Sequence, residues 1–284
     1  MLKNRVPLTA KDARMPSTNA ISADKLVRLI GMPHCPALVD VRTLDEYKAN
    51  PRLIPGSMKR PHADPSNWAG DIVGRSAIVV CETGGELSQG AAAWLRHAGV
   101  PADTLEDGFA GWSKASLPLV ATARMPQPDR QGRTVWVTRA RPKIDRIACP
   151  WLIRRFIDPR AVFLFVAPAE VEGVAQRFAA TPFDVEGVFF SHRGDGCTFD
   201  VMIEEFDLAT EPLLHLAAIV RGADTGRMDV APQAAGLLAV SLGLSRMYAD
   251  DLAQLEAGLA LYDALYRWCR DARDETHTWH SKRP

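Results

Sequence analysis

The sequence predicts two domains of different class. The first is an α/β domain with a parallel sheet and helices on both faces, and the second is mostly α-helical with a few strands. Three observations carry this. Short β-branched runs alternate with helical patterns over residues 37–112. A stretch rich in proline and charge, 120–133, interrupts the alternation and reads as a linker. Beyond it helical spacing dominates, most clearly over 248–270, where Leu252, Leu255, Leu259, Tyr262 and Tyr266 recur at i, i+3, i+4. A chain of 284 residues also exceeds the commonest single-domain size. The expected boundaries are 17–120 for the first domain, 121–133 for the linker and 134–284 for the second domain.

In chain order, residues 1–19 are polar and irregular. Residues 21–31 form a helix capped by Ser22 and stopped by Gly31. Ala37-Leu38-Val39-Asp40-Val41-Arg42 is a strand ending in Asp and Arg, followed by a short capped helix over 43–47 and a turn at 53–57. The apolar run 77–80 leads into Cys81, a Gly-rich loop and a helix over 87–98. Glu106-Asp107-Gly108-Phe109-Ala110-Gly111-Trp112 is a strand end turning into a helix. In the second half, strands are expected at 134–138, 161–166 and 188–192. Helices are expected at 147–157, 197–206, 210–223, 232–242 and 248–270, with Pro150 near the start of the first.

Composition narrows the function classes. Lys+Arg and Asp+Glu are equal at 34 each, so a general nucleic-acid or membrane-surface binder is not expected. No apolar run reaches the length of a membrane span, and residues 1–12 lack the apolar core of a signal peptide. Five cysteines are spread without a CxxC pair, which speaks against a disulfide framework and for a reduced, cytoplasmic protein. A homodimer is compatible with the seven tryptophans and the helical second domain.

Cys81 stands between a buried strand and a helix N-terminus, where backbone N–H groups and the helix dipole favour a thiolate and can hold an anion. Cys81 is thus a candidate nucleophile in an anion cradle. The competing reading is an inert, buried strand-end cysteine. In the second half Arg139, Arg141, Lys143, Arg146, Arg154 and Arg155 form a basic run, and guanidinium forks suit a doubly charged tetrahedral oxyanion. The alternative is a solvated face, or pairing with Asp145 and Asp158. Asp145, Arg146, Arg154 and Arg155 are the binding candidates there. His192, Cys197, Asp200, Glu204 and Asp224 are metal-type residues, and His192, Cys197 and Asp224 are the candidate ligands of a metal ion, the one cofactor expected. The alternative is a structural histidine.

Asp40-Val41-Arg42, Ile54-Pro55-Gly56-Ser57, the Cys81 loop and the Glu106–Trp112 motif occur in the order of a rhodanese domain, and residues 17–120 resemble that family. The resemblance implies a sulfurtransferase in which Cys81 carries a persulfide taken from a small-molecule sulfur donor, with the N–H groups of Glu82, Thr83, Gly84, Gly85, Glu86 and Leu87 as the cradle that holds the persulfide or the donor anion. One departure stands out. No basic residue lies between Cys81 and Arg96, and Glu82 and Glu86 place carboxylates beside a site meant for anions, raising the thiol pKa and repelling an anionic donor.

Ile144-Asp145-Arg146-Ile147-Ala148-Cys149-Pro150-Trp151-Leu152-Ile153-Arg154-Arg155-Phe156 resembles the C-terminal domain of chromate-resistance proteins. So do Phe190-Ser191-His192 with Cys197-Thr198-Phe199-Asp200, and the stretch from Leu216 to Asp224. Arg221 stands where that resemblance leads one to expect a histidine. It implies a role in chromate resistance, either with Cys81 as a redox or persulfide thiol beside a domain that binds an oxyanion or metal, or as a non-enzymatic sensor. Direct DNA binding is not expected, because the sequence has no helix-turn-helix pattern and no net positive charge.

Overall fold

The structure is a computed structural model and describes residues 19–275. The expectations for the first eighteen residues and for the tail from 276, His277 and His280 included, lie outside the described residues.

The first domain contains β1 (Ala20–Ile21), α1 (Ala23–Leu29), β2 (Ala37–Asp40), α2 (Leu44–Ala49), β3 (Arg52–Leu53) and β4 (Ser57–Lys59). It continues with α3 (Ser66–Ala69), β5 (Ala77–Val80), α4 (Glu86–His97), β6 (Ala102–Leu105), α5 (Gly108–Lys114) and β7 (Val120–Ala121). Five strands form one parallel sheet in the order β1-β6-β5-β2-β4. Every residue of β2 and β5 is buried. That is why these strands read as unbroken apolar runs rather than as alternation: helices cover both faces of the sheet. The expected turn at 53–57 is bracketed by two short strands, and β3 pairs antiparallel with β7 at the start of the predicted linker.

The carboxyl end of β2 is fixed by a buried ion pair. Arg42 donates through Nε and Nη2 to Asp40 at 2.9 and 2.7 Å, and through Nη2 to the Arg52 carbonyl at 2.6 Å. Its guanidinium lies 3.5 Å from the centroid of the Phe109 ring. The Asp-Val-Arg motif therefore ties β2, β3 and α5 together.

The second domain contains β8 (Val135–Arg139), α6 (Asp145–Leu152), a π-turn over Ile153–Ile157, β9 (Val162–Val166), α7 (Val171–Phe178) and β10 (Thr181–Pro182). Four helices follow: α8 (Thr198–Glu205), α9 (Glu211–Asp224), α10 (Ala234–Met247) and α11 (Asp251–Asp271). The three strands form a parallel sheet in the order β10-β8-β9. Trp151 of α6 centres the helical core, in ring contact with Phe156, Phe199, Tyr262 and Tyr266.

Two expectations are corrected. Residues 188–192 are a loop rather than a strand, with one isolated bridge from Phe190 to Phe183. The apolar pair there is an anchor: Phe190 stacks on Phe206 at 5.6 Å while Phe189 stays exposed. The helix expected to end near residue 242 runs on to Met247, and the last helix starts only after Asp250, whose side chain caps it.

The two domains share a continuous core. The Gly56 N–H donates to the Phe156 carbonyl at 2.6 Å. At Gly31, with φ of +78°, a Cβ would lie 2.5 Å from the Phe156 ring and 2.7 Å from Tyr266, so only glycine lets the first domain approach the π-turn and α11 so closely.

Removing one partner of a buried pair strands the other charge. Asp40→Ala is expected to destabilise the protein by about 3 kcal/mol, read as a lower midpoint in urea unfolding. A loss no larger than that of a surface pair, below about 1 kcal/mol, would mean that Arg42 is held by its carbonyl and aromatic contacts alone.

Candidate metal centre

The segment between β8 and α6 turns Asp145 into the protein. Arg141 and Ile144 both have positive φ, at 57° and 36°. That is a strained conformation for a β-branched residue, and it persists only where surrounding contacts over-determine it. Those contacts come from the C-terminal helices. The Arg141 guanidinium donates to the Tyr248 carbonyl at 2.9 Å and to the Ser245 carbonyl at the end of α10. Gln254 donates to the Pro142 carbonyl at 2.6 Å, and the Tyr262 hydroxyl to the Ile144 carbonyl at 3.1 Å. So held, Asp145 opens α6 with 0% of its surface exposed.

Three more residues reach it from distant parts of the chain. Asp184 follows β10 at φ 50°, His192 lies in the loop before α8, and Asp224 is the last residue of α9. His192 Nε2 is 3.2 Å from Asp224 Oδ2, 3.5 Å from Asp184 Oδ1 and 3.6 Å from Asp145 Oδ2. Asp145, Asp184 and His192 each offer a ligand atom within 4.8 Å of the other two.

An outer set of donors orients the carboxylates. The Thr198 N–H donates to Asp145 Oδ2 at 2.6 Å, and the Thr198 hydroxyl to Asp184 Oδ1 at 3.0 Å. Arg146 and Arg139 lie 3.2 and 3.4 Å from Asp184 Oδ2. Asp145 Oδ1 is sealed from water and has no hydrogen-bond partner.

The electrostatics follow from that burial. Burial first, then the charges of Asp224 and Asp184, raise the Asp145 pKa well above the carboxylate range. Burial, then Asp184, raises Asp224, with His192 opposing. Burial and then the Asp145 charge push the thiols of Cys149 and Cys197 up as well. A pocket of about 500 Å3 lined by Arg139, Asp184, Glu186, Ser191 and His192 opens beside the cluster, and 43% of the His192 side chain is exposed.

The sequence candidates are thus distributed unevenly. His192, Asp224 and Asp145 come together. Cys197 is adjacent but caps α8, its N–H donating to Asp200 at 2.9 Å, and Asp200 also accepts from Arg221 at 2.6 Å. Arg146 reaches the cluster through Asp184. Arg154 and Arg155 do not: they pair with Glu256 and Asp263 of α11. Asp184 was missed; it sits in Phe183-Asp184-Val185, which carries no motif, and only folding brings it to the others.

In the first domain Cys81 directly follows β5, with 3% of its surface exposed. Its thiol donates to the Ser88 hydroxyl at 3.1 Å, and Ser88 donates to the Gly85 carbonyl at 3.1 Å. Glu82, Thr83, Gly84 and Gly85 form the loop, and α4 begins at Glu86, one residue ahead of Leu87. At Gly84, with φ of +69°, a Cβ would lie 2.7 Å from the Leu105 carbonyl. Glu82 lies 3.9 Å from Arg42. Burial raises its pKa, and Arg42 opposes this.

Both halves of the chain resemble known families. Residues 22–115 match the rhodanese-like domain family. Residues 136–269 match the family described as ChrB, C-terminal domain. Protein ChrB of Cupriavidus metallidurans is 39% identical over 138 residues, 48% of this chain. The match spans 40% of that relative's length. Among solved structures, a protein from Lactobacillus plantarum is 23% identical, with a TM-score of 0.32 over 36% of this chain and 87% of its own. A thiosulfate sulfurtransferase from Pseudomonas aeruginosa is 22% identical, with a TM-score of 0.33 over 41% of this chain and 22% of its own. No helix among the described residues is long and apolar enough to cross a membrane.

Carboxyl groups whose pKa is raised by folding stabilise the fold while protonated, and that contribution is lost as pH rises through the raised values. With divalent cations chelated, the melting temperature is therefore expected to fall from mildly acidic towards neutral pH, and Asp224→Asn is expected to flatten the fall. An unchanged pH profile in the variant would show that Asp224 does not titrate in this way.

Proposed function

We propose that the second domain binds a divalent metal ion between Asp145, Asp184, His192 and Asp224, and that the protein acts in chromate resistance through this centre. The observation that carries the reading is Asp145, a fully buried carboxylate with an orphaned oxygen, packed against two more carboxylates and an imidazole. A buried anion needs a counter-charge, and Arg139 and Arg146 face Asp184 rather than Asp145. A cation on the cluster would supply that charge and take up the free oxygen. Three carboxylates with one imidazole suit a hard or borderline divalent ion such as Mn2+, Fe2+ or Zn2+.

The open pocket beside the cluster gives this centre a ligand. Arg139 and the metal would together attract a tetrahedral dianion of the chromate class, the oxyanion that the kinship with ChrB suggests. The high thiol pKa values of Cys149 and Cys197 favour neutral packing groups over thiolate ligands in the metal-free state. Cys81 is read as the thiol of the first domain. Its burial, its bond to Ser88 and the neighbouring Glu82 and Glu86 favour a sensing or slow persulfide role over rapid sulfur transfer.

Titration with Mn2+ tests the centre. The wild-type protein and Cys81→Ser are expected to bind one ion per chain, with a raised melting temperature. Asp184→Asn and His192→Gln are expected to lose about 100-fold in affinity, the loss typical of removing a ligand or its immediate support. Equal binding by all four proteins would place the ion elsewhere.

A further inference from the structure

A second cavity, of about 320 Å3, lies between the two domains and away from the metal centre. Its wall carries Cys35 and Arg75 from the first domain and Arg154, Arg155 and Glu256 from the second. The three guanidinium groups come from two segments, Arg75 from the end of the loop before β5 and Arg154 and Arg155 from the π-turn after α6. Arg155 spends Nε and Nη2 on Asp263 at 2.8 Å each, and Arg154 pairs with Glu256 at the rim. Arg75 donates Nη2 to the Cys35 carbonyl at 3.0 Å. Five N–H donors per guanidinium leave several in each group for a ligand. Counting Asp263 behind Arg155, the wall keeps an excess of one positive charge. Burial pushes the Cys35 thiol up to about 11, while Arg75 and Arg155 both pull it down, so guanidinium groups of both domains act on one point in the cleft.

We infer that this interdomain cleft is a binding site for a doubly charged tetrahedral oxyanion, bridged by Arg75 on one domain and Arg154 and Arg155 on the other. The anion would meet a net positive wall and join the domains by charge-assisted hydrogen bonds, so binding and domain packing are coupled. Sulfate, phosphate and chromate share this chemistry.

The test is calorimetric titration of the full chain with sodium sulfate, phosphate and chromate, each against perchlorate as a monovalent tetrahedral control. The dianions are expected to bind with one site per chain and to slow labelling of Cys35 by a thiol reagent. Because Cys81, Cys149, Cys197 and Cys269 are buried, a Cys35→Ser variant identifies the protected thiol. Arg75 is exposed, so Arg75→Gln is expected to fold normally and to weaken binding about tenfold, the loss of one charge-assisted contact. Arg177→Gln, an exposed arginine on α7 far along the chain, is expected to change nothing. The preferred dianion names the ligand. Binding by Arg75→Gln within about twofold of the wild type, or perchlorate binding as well as the dianions, would overturn the assignment, since a difference that small is under half a kcal/mol.

Discussion

A carboxylate removed from water has to be neutralised, by a proton or by a cation. Asp145 imposes that condition on the second domain. Its burial follows from the strained turn through Arg141 and Ile144, and that turn is held by groups on α10 and α11. The C-terminal helices are thus part of the site although their residues do not enter it. Helix α8 contributes at its first residue, where Thr198 orients Asp145 and Asp184 together. Backbone strain, an orphaned oxygen and raised proton affinity all fall at this one place, and the proposed metal centre rests on that coincidence.

The arginines divide into three groups with different tasks. Arg42 is structural: it is sealed against Asp40 and Phe109 and fixes the end of β2. Arg139 and Arg146 set the charge around Asp184. Arg154 and Arg155 turn the other way, towards α11 and the first domain. Arg146 and the pair Arg154–Arg155, only eight and nine residues further along the same basic run, therefore have different partners, because α6 and its π-turn carry the later pair towards α11.

Much of the fold was legible because it is local. The strand ending in Asp40-Val41-Arg42, the strand into Cys81 and the turn before Phe109 each carry their signal within a few residues, and the parallel sheet follows from their alternation with helices. What failed was equally physical. Phe189 and Phe190 look like a strand, but one anchors a loop in the core and the other faces solvent. At the centre, His192 and Asp224 were legible as ligand types, and the structure sets them 3.2 Å apart. Asp145 was legible as a binding candidate within the basic run, or as a partner for its arginines, but its full burial cannot be seen from a neighbouring charge run. Asp184 had no local signal, since its role exists only through contacts with residues 145, 192 and 198.

The central claim is that an ion sits on this cluster. Crystals grown with Mn2+ and measured at the manganese absorption edge test it most directly. The account predicts one anomalous peak within about 2.3 Å of oxygens from Asp145 and Asp184 and of His192 Nε2. A protein fully exposed to Mn2+ with no peak there, and Asp145 still buried, would show that a proton neutralises the carboxylate and that the second domain is not a metal site.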